Sequence, residues 1–247
     1  MRARISIAAA AVVLAIDVHA ASAQWLDKLR VSINVGSQLS STTFTSTTSF
    51  PVNAETSTIN TSYTVSSGQL FDGGFLYRLS GNFGVGVAVS SYSERHNAAV
   101  SGSSPHPFFF NTPRAFTGTA AGLQRSELAA HIQAAYVMSS NRYDVAISGG
   151  PTIFRVGQDL VSNVTLVETY PYDTVTFSSA TTVRADKTKL GFNVGVDVGF
   201  KFSSNLGVGG LLRFSRATAS LPLAGSATDV NIDAGGVQVA GGVRFYF

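Results

Sequence analysis

Residues 237–247 alternate without interruption between two kinds of side chain. Val237, Val239, Gly241, Val243, Phe245 and Phe247 form an uncharged, mostly apolar set. Gln238, Ala240, Gly242, Arg244 and Tyr246 form a small or polar one. A strict period of two places the two sets on opposite faces of a β-strand. Such a strand suits a wall with a different medium on each side. It suits neither a strand buried on both faces nor one solvated on both.

Seven earlier segments repeat this pattern, over residues 29–39, 70–79, 83–92, 127–138, 143–154, 190–202 and 206–214. In residues 83–92 the apolar face is Phe83, Val85, Val87 and Val89. In residues 190–202 it is Leu190, Phe192, Val194, Val196, Val198, Phe200 and Phe202. The connections alternate in length. Residues 80–82, 139–142 and 203–205 are tight turns rich in Ser, Asn and Gly. Residues 40–69, 93–126, 155–189 and 215–234 are expected to be long loops. Three short turns and four long loops give eight strands, with both termini on the short-turn side.

Arg2 and Arg4, an apolar run over residues 5–16, and the small residues Ala21, Ser22 and Ala23 predict a cleaved signal peptide over residues 1–23. The expected mature unit is then one β domain over residues 24–247. Its remaining apolar segments are too short for a membrane helix. The chain has no Cys, which removes disulfides, thiol nucleophiles and thiolate metal sites. The formal charge is +3. Losing Arg2 and Arg4 subtracts two and losing Asp17 adds one, leaving +2, too little to argue for nucleic acid.

The terminal Phe247, the Gly-rich strands such as Gly191-Phe192-Asn193-Val194-Gly195-Val196-Asp197, and the loop asymmetry resemble the small bacterial outer-membrane β-barrels of the OmpA and OmpW type. The resemblance covers the whole mature chain. It implies an all-β fold: an eight-stranded antiparallel up-and-down transmembrane barrel in the outer membrane, with short periplasmic turns and long extracellular loops. It also implies that Phe245 and Phe247 form the signal read by the outer-membrane assembly machinery.

The strand phase sorts the charges. Asp72, Arg78, Glu127, His131, Asp144, Asp197, Lys201, Arg213 and Arg244 fall on the inward phase. A basic residue facing lipid at the midplane would cost roughly 2–4 kcal/mol, so this segregation fits a barrel. Eight strands leave an interior that side chains fill, so these charges are expected to form a paired luminal network. Arg78, Asp144, Lys201 and Arg244 are expected near the short-turn end, and Asp72, His131, Asp197 and Arg213 near mid-height. His131 has the reach to pair with Asp72 or Asp197.

Pro105-His106-Pro107-Phe108-Phe109-Phe110 is the oddest loop segment. Three consecutive Phe on a surface are costly unless sheltered, so the first expectation is a lid over the barrel mouth, and the second an interaction loop. Arg95, Arg155 and Arg216 lie on the lipid-facing phase just beyond the apolar band, placed to meet lipopolysaccharide phosphates. Residues 161–177 are β-prone and predict a hairpin rising above the membrane. Residues 41–64 predict an extension of the second strand. No metal or cofactor is expected. The functional expectation is a non-enzymatic outer-membrane barrel with a structural or surface-interaction role through its long loops, in contact with outer-membrane lipid. Its extracellular ligand or host partner is not specified by any motif. The alternatives are a narrow pore or OmpW-like channel, and, more remotely, a membrane-embedded hydrolase.

Overall fold

The computed structural model describes residues 28–39, 41–223, 226 and 229–247; the expected signal peptide, residues 1–23, lies outside them. Ten strands run in chain order: β1 (Leu29–Leu39), β2 (Thr42–Val52), β3 (Glu55–Val65), β4 (Gly68–Ser80), β5 (Phe83–Pro105), β6 (Pro113–Ser139), β7 (Tyr143–Glu168), β8 (Val175–Lys201), β9 (Leu206–Leu221) and β10 (Val230–Tyr246). Eight of them close a ring in the order β5-β4-β1-β10-β9-β8-β7-β6, with β6 returning to β5 and every pair antiparallel. The β1–β10 seam continues to the last residue: the Leu29 and Phe247 backbones exchange hydrogen bonds of 3.0 and 2.9 Å.

The expected alternation is realised in the lower half of the ring. Ile33, Val35, Phe71, Phe75, Phe83, Val87, Ile132, Ile147, Val194, Leu212 and Val239 are all exposed on the outside. The tight turns lie together at one end, with both described termini.

The four stretches expected to be long loops are instead largely strand. β5 runs 23 residues, β6 27, β7 26 and β8 27, where 9–11 residues cross a bilayer. The barrel wall therefore rises well beyond its apolar band. Residues 42–65 do not extend the second barrel strand. They form a separate hairpin, β2–β3, whose two-residue turn has both Asn53 and Ala54 left-handed. β3 then docks on the upper part of β5, from Thr58↔Ser103 to Tyr63↔Ala98.

The wall changes character along its height. Low on β5 the apolar residues Val85, Val87 and Val89 face out; higher up, Ala98 and Val100 face in. On β9, outward Val208, Leu212 and Phe214 give way to inward Ala217, Ala219 and Leu221. On β10, which runs the other way, inward Val230, Ile232 and Ala234 give way to outward Val237, Val239 and Val243. The upper inward residues join Phe44, Ile59, Tyr63, Phe116, Leu123, Phe154, Val156 and Leu160 in one apolar core. Each large side chain buried there contributes about 1.5–3 kcal/mol. The lower half is greasy outside and polar inside. The upper half is polar outside and greasy inside, as a water-facing domain must be.

Where the upper sheet parts between β6 and β7, the freed Val161 N–H is satisfied by the Tyr63 hydroxyl at 2.8 Å, which also contacts Ser46 Oγ at 3.3 Å. Burial pushes the pKa of this hydroxyl up, against the opposing pull of those hydrogen bonds.

Candidate functional site: a filled lumen beneath an aromatic summit

The inward phase delivers the charges to one continuous hydrogen-bonded network. Arg244 from β10 grips Asp197 of β8 through Nε at 3.1 Å and Nη2 at 3.0 Å, and donates through Nη1 to Asn34 Oδ1 at 2.6 Å. Asn34 in turn donates to Asp72 at 2.8 Å, and Asp72 accepts from Arg213 at 2.6 Å. Below, Arg30 bridges Asp144 and Asp197, Tyr246 donates to Asp144 at 2.5 Å, and Lys201 Nζ sits 4.1 Å from the Tyr246 ring centre. Above, Arg213 reaches Gln238, Gln238 reaches Gln38, and Gln38 reaches Glu127, which is also held by Arg125 at 2.7 and 2.9 Å and by the Gly235 N–H. Asp72, Asp144, Asp197, Arg213 and Arg244 are all buried.

Opposite charges in bidentate or short contact offset the cost of taking each from water. A cavity of about 30 Å3 beside Arg30, Asp197 and Arg213 has room for about two water molecules. Glycines make the fit possible: a Cβ on Gly199 would collide with the Asp144 carboxylate and the Tyr246 hydroxyl.

Arg78 lies half-buried at the short-turn end, where its guanidinium caps the turn through Gly81 O and Asn82 Oδ1. His131 does not meet Asp72 or Asp197. Its Nε2 lies 2.9 Å from Ser90 Oγ and its Nδ1 2.9 Å from Thr152 Oγ1, and Thr152 accepts from Asn193 at 2.8 Å. The reason is that both carboxylates are already taken by arginines. A Ser–His contact is half of a nucleophile–base pair, but the far nitrogen here meets a hydroxyl rather than a carboxylate, and Ser90, His131 and Thr152 are all buried. Among the described residues no cluster of three His, Asp or Glu side chains could hold a metal.

Arg30, Asn34 and Gln38 join the network without having been expected in it, although the period-two phase places them inward, and Gln238 and Tyr246, already on the polar face of the terminal strand, take part as well. Arg125 fell in a stretch read as loop, so its phase carried no meaning until the strand was seen.

At the other end three hairpin tips converge. Residues 106–112 join β5 to β6, residues 169–174 join β7 to β8, and Asn53 and Ala54 turn β2 into β3. Phe108, Phe109 and Phe110 do not pack as a lid: they are 69%, 62% and 72% exposed. The apolar core of the upper wall lies beneath them, and the rings stand outside it. Phe108 meets Tyr172 edge-on at 5.6 Å, and Tyr172 meets Tyr170, itself 82% exposed, at 6.1 Å.

The tips are held from below. His106 is buried, and its Nδ1 accepts the Phe108 and Phe109 N–H groups at 3.1 and 3.2 Å while its ring lies 4.9 Å from that of Phe109. Buried Arg114 donates to Pro105 O, Tyr172 O and Glu168 at 2.7, 2.9 and 2.6 Å. Glu55 accepts the Asn111 N–H at 2.9 Å. The result is an aromatic patch on three hairpins tied to one another.

Arg95, Arg155 and Arg216 all lie outward and exposed, just above the apolar band; Arg216 pairs with Asp233 at 2.9 Å. Phe247 is exposed on the band's lower rim.

No protein-family model matches the chain, and no curated protein does. Among solved structures it is similar to Neisserial surface protein A, with 11% identity over 89% of this chain and 97% of that one and a TM-score of 0.44. It is similar to the outer membrane protease OmpT from Escherichia coli, with 9% identity over 89% and 96% and a TM-score of 0.47. It is also similar to Ail, the attachment invasion locus protein of Yersinia pestis, with 12% identity over 88% and 99% and a TM-score of 0.36. With values this low, the eight-stranded barrel rests on the chain's own strand pairing.

Proposed function

We propose that the chain is an integral outer-membrane β-barrel that works as a surface-exposed interaction module, without enzymatic activity and without a conducting pore. Membrane insertion is supported by the closed ring and by an outward band that carries Ile, Val, Leu and Phe around its girth. The long-hairpin end is then extracellular and the turn end periplasmic. In this reading Arg95 and Arg155, both exposed, pair with lipopolysaccharide phosphates, and exposed Phe247 serves the assembly machinery. The observation that carries the functional reading is the pairing of a lumen filled with bonded side chains and an exposed aromatic triplet at the summit. Natural surfaces rarely leave contiguous apolar patches without a use, and aromatic anchors dominate protein interfaces.

The test compares the wild-type barrel with a variant carrying Phe108→Ser, Phe109→Ser and Phe110→Ser. In planar bilayers neither should show conductance steps, and the variant should fold as well as wild type. On the bacterial surface the variant should lose adhesion to other cells or to immobilised extracellular protein. Discrete conductance in the wild-type protein would move the assignment to transport. Undiminished adhesion of the variant would remove the summit from the function.

A further inference from the structure

The summit carries a charge of its own. Across the three hairpin tips stand the carboxylates Glu55, Glu168 and Asp173, against one guanidinium, Arg114. Arg114 is committed to Glu168 at 2.6 Å. Asp173, with its side chain 72% exposed, faces His106 Nε2 at 3.8 Å. Glu55 accepts one backbone N–H, and its Oε2 has no hydrogen-bond partner. Glu55, with no Lys, Arg or His partner, and Asp173, which faces only the His106 imidazole and is otherwise open to water, therefore flank Phe108–Phe109–Phe110 and Tyr172, in a chain whose overall formal charge is positive.

The ring faces add to this field. An aromatic face carries negative potential and attracts ammonium or guanidinium groups within about 6 Å. An anionic lipid surface meets its own sign here and is repelled. The basic residues suited to it, Arg95 and Arg155, lie far down the wall beside the apolar band.

Resting on the reading of the summit as the interaction site, we infer that its partner is a cationic protein segment carrying Lys or Arg beside apolar side chains. The apolar groups lie on the Phe triplet, while a basic group stacks over Tyr172 or Phe108 and pairs with Asp173; Glu55 strengthens the field from below. Arg114 and His106 act only in positioning, because both are buried beneath the patch and hold its backbone.

The experiment uses the full chain folded in nanodiscs and two probes of equal length and hydrophobicity, an amphipathic Lys–Leu peptide and its Glu–Leu counterpart, with binding read by fluorescence anisotropy. Vesicles containing anionic phosphatidylglycerol serve as a third probe. The Lys–Leu peptide should bind and the Glu–Leu peptide should not, and binding should weaken as salt rises. The triple Phe→Ser variant should weaken Lys–Leu binding by about tenfold or more. Asp173→Asn should weaken it several-fold and Asp173→Lys further still, with the heat-modifiable folded form unchanged in each.

Equal binding of the two peptides, insensitivity to Asp173, or preference for the anionic vesicles would overturn the cationic assignment. If the triple variant still loses adhesion in those cases, the summit remains the interaction site and only the partner's chemistry is wrong. If the triple variant changes neither adhesion nor peptide binding, both readings fall.

Discussion

At the scale of single residues, the lumen and the summit respond to substitution in opposite ways. Asp197 answers two guanidiniums at once, from Arg244 and Arg30. Asp197→Ala leaves Arg244 without a carboxylate in a buried site and Arg30 with Asp144 alone, and should cost on the order of 3–5 kcal/mol. Asp173 stands in water, and Asp173→Ala should change stability by no more than about 0.5 kcal/mol. Urea unfolding of both variants in one lipid system checks the pair, and equal midpoints would contradict the luminal network. Period two alone was enough to place Asp72, Asp144, Asp197, Arg213 and Arg244 inside, because a one-residue error would put every one of them against lipid. It did not say who pairs with whom. His131 shares a phase with Asp72 and Asp197, yet partner choice depends on strand stagger and side-chain reach, and the arginines claim those carboxylates first. The exposure of Phe108–Phe110 was also illegible, because it depends on where the apolar core of the upper wall lies.

At the scale of elements, the strands extend far past the segments whose alternation was obvious. The Ser- and Thr-rich stretches read as loops because their apolar residues are sparse, and their outward positions carry hydroxyls. Above the band the outer medium is water, so polar residues belong outside and apolar ones inside, and the alternation continues with its sense reversed. On β9 the change falls between Phe214 and Ala217, only three residues apart. A reader looking for one constant greasy face loses the strand at that point. Insertions add to the difficulty: at Gly122 (φ +73°) the β5–β6 register shifts between His96 and Ala98, and a bulge of this kind moves later side chains to the other face. The lower seam yields its own prediction. Phe247 closes β1 against β10 with two backbone hydrogen bonds at the very end of the ring. Deleting it removes that closure, and the amount of folded, heat-modifiable protein in outer-membrane fractions should fall. Wild-type amounts would show that the terminal pair is dispensable.

At the scale of the whole molecule, two bodies share one wall: a lipid-facing barrel around a bonded polar interior, and a water-facing domain around an apolar core. The height at which the wall inverts should coincide with the outer membrane surface, and it fixes where the summit sits relative to lipid. The absence of Cys from the chain allows single-site labelling along one strand without interference. Val87, Val89, Ala99 and Ser101 all point outward from β5, two below the inversion and two above it. Each is replaced singly by Cys and labelled with a fluorophore, and quenching by a nitroxide lipid is compared with quenching by aqueous iodide. Labels at 87 and 89 should be quenched by the lipid and spared by iodide, and labels at 99 and 101 should show the reverse. Iodide quenching at all four positions would contradict the membrane barrel, and lipid quenching at all four would contradict the water-facing upper domain and the summit built upon it.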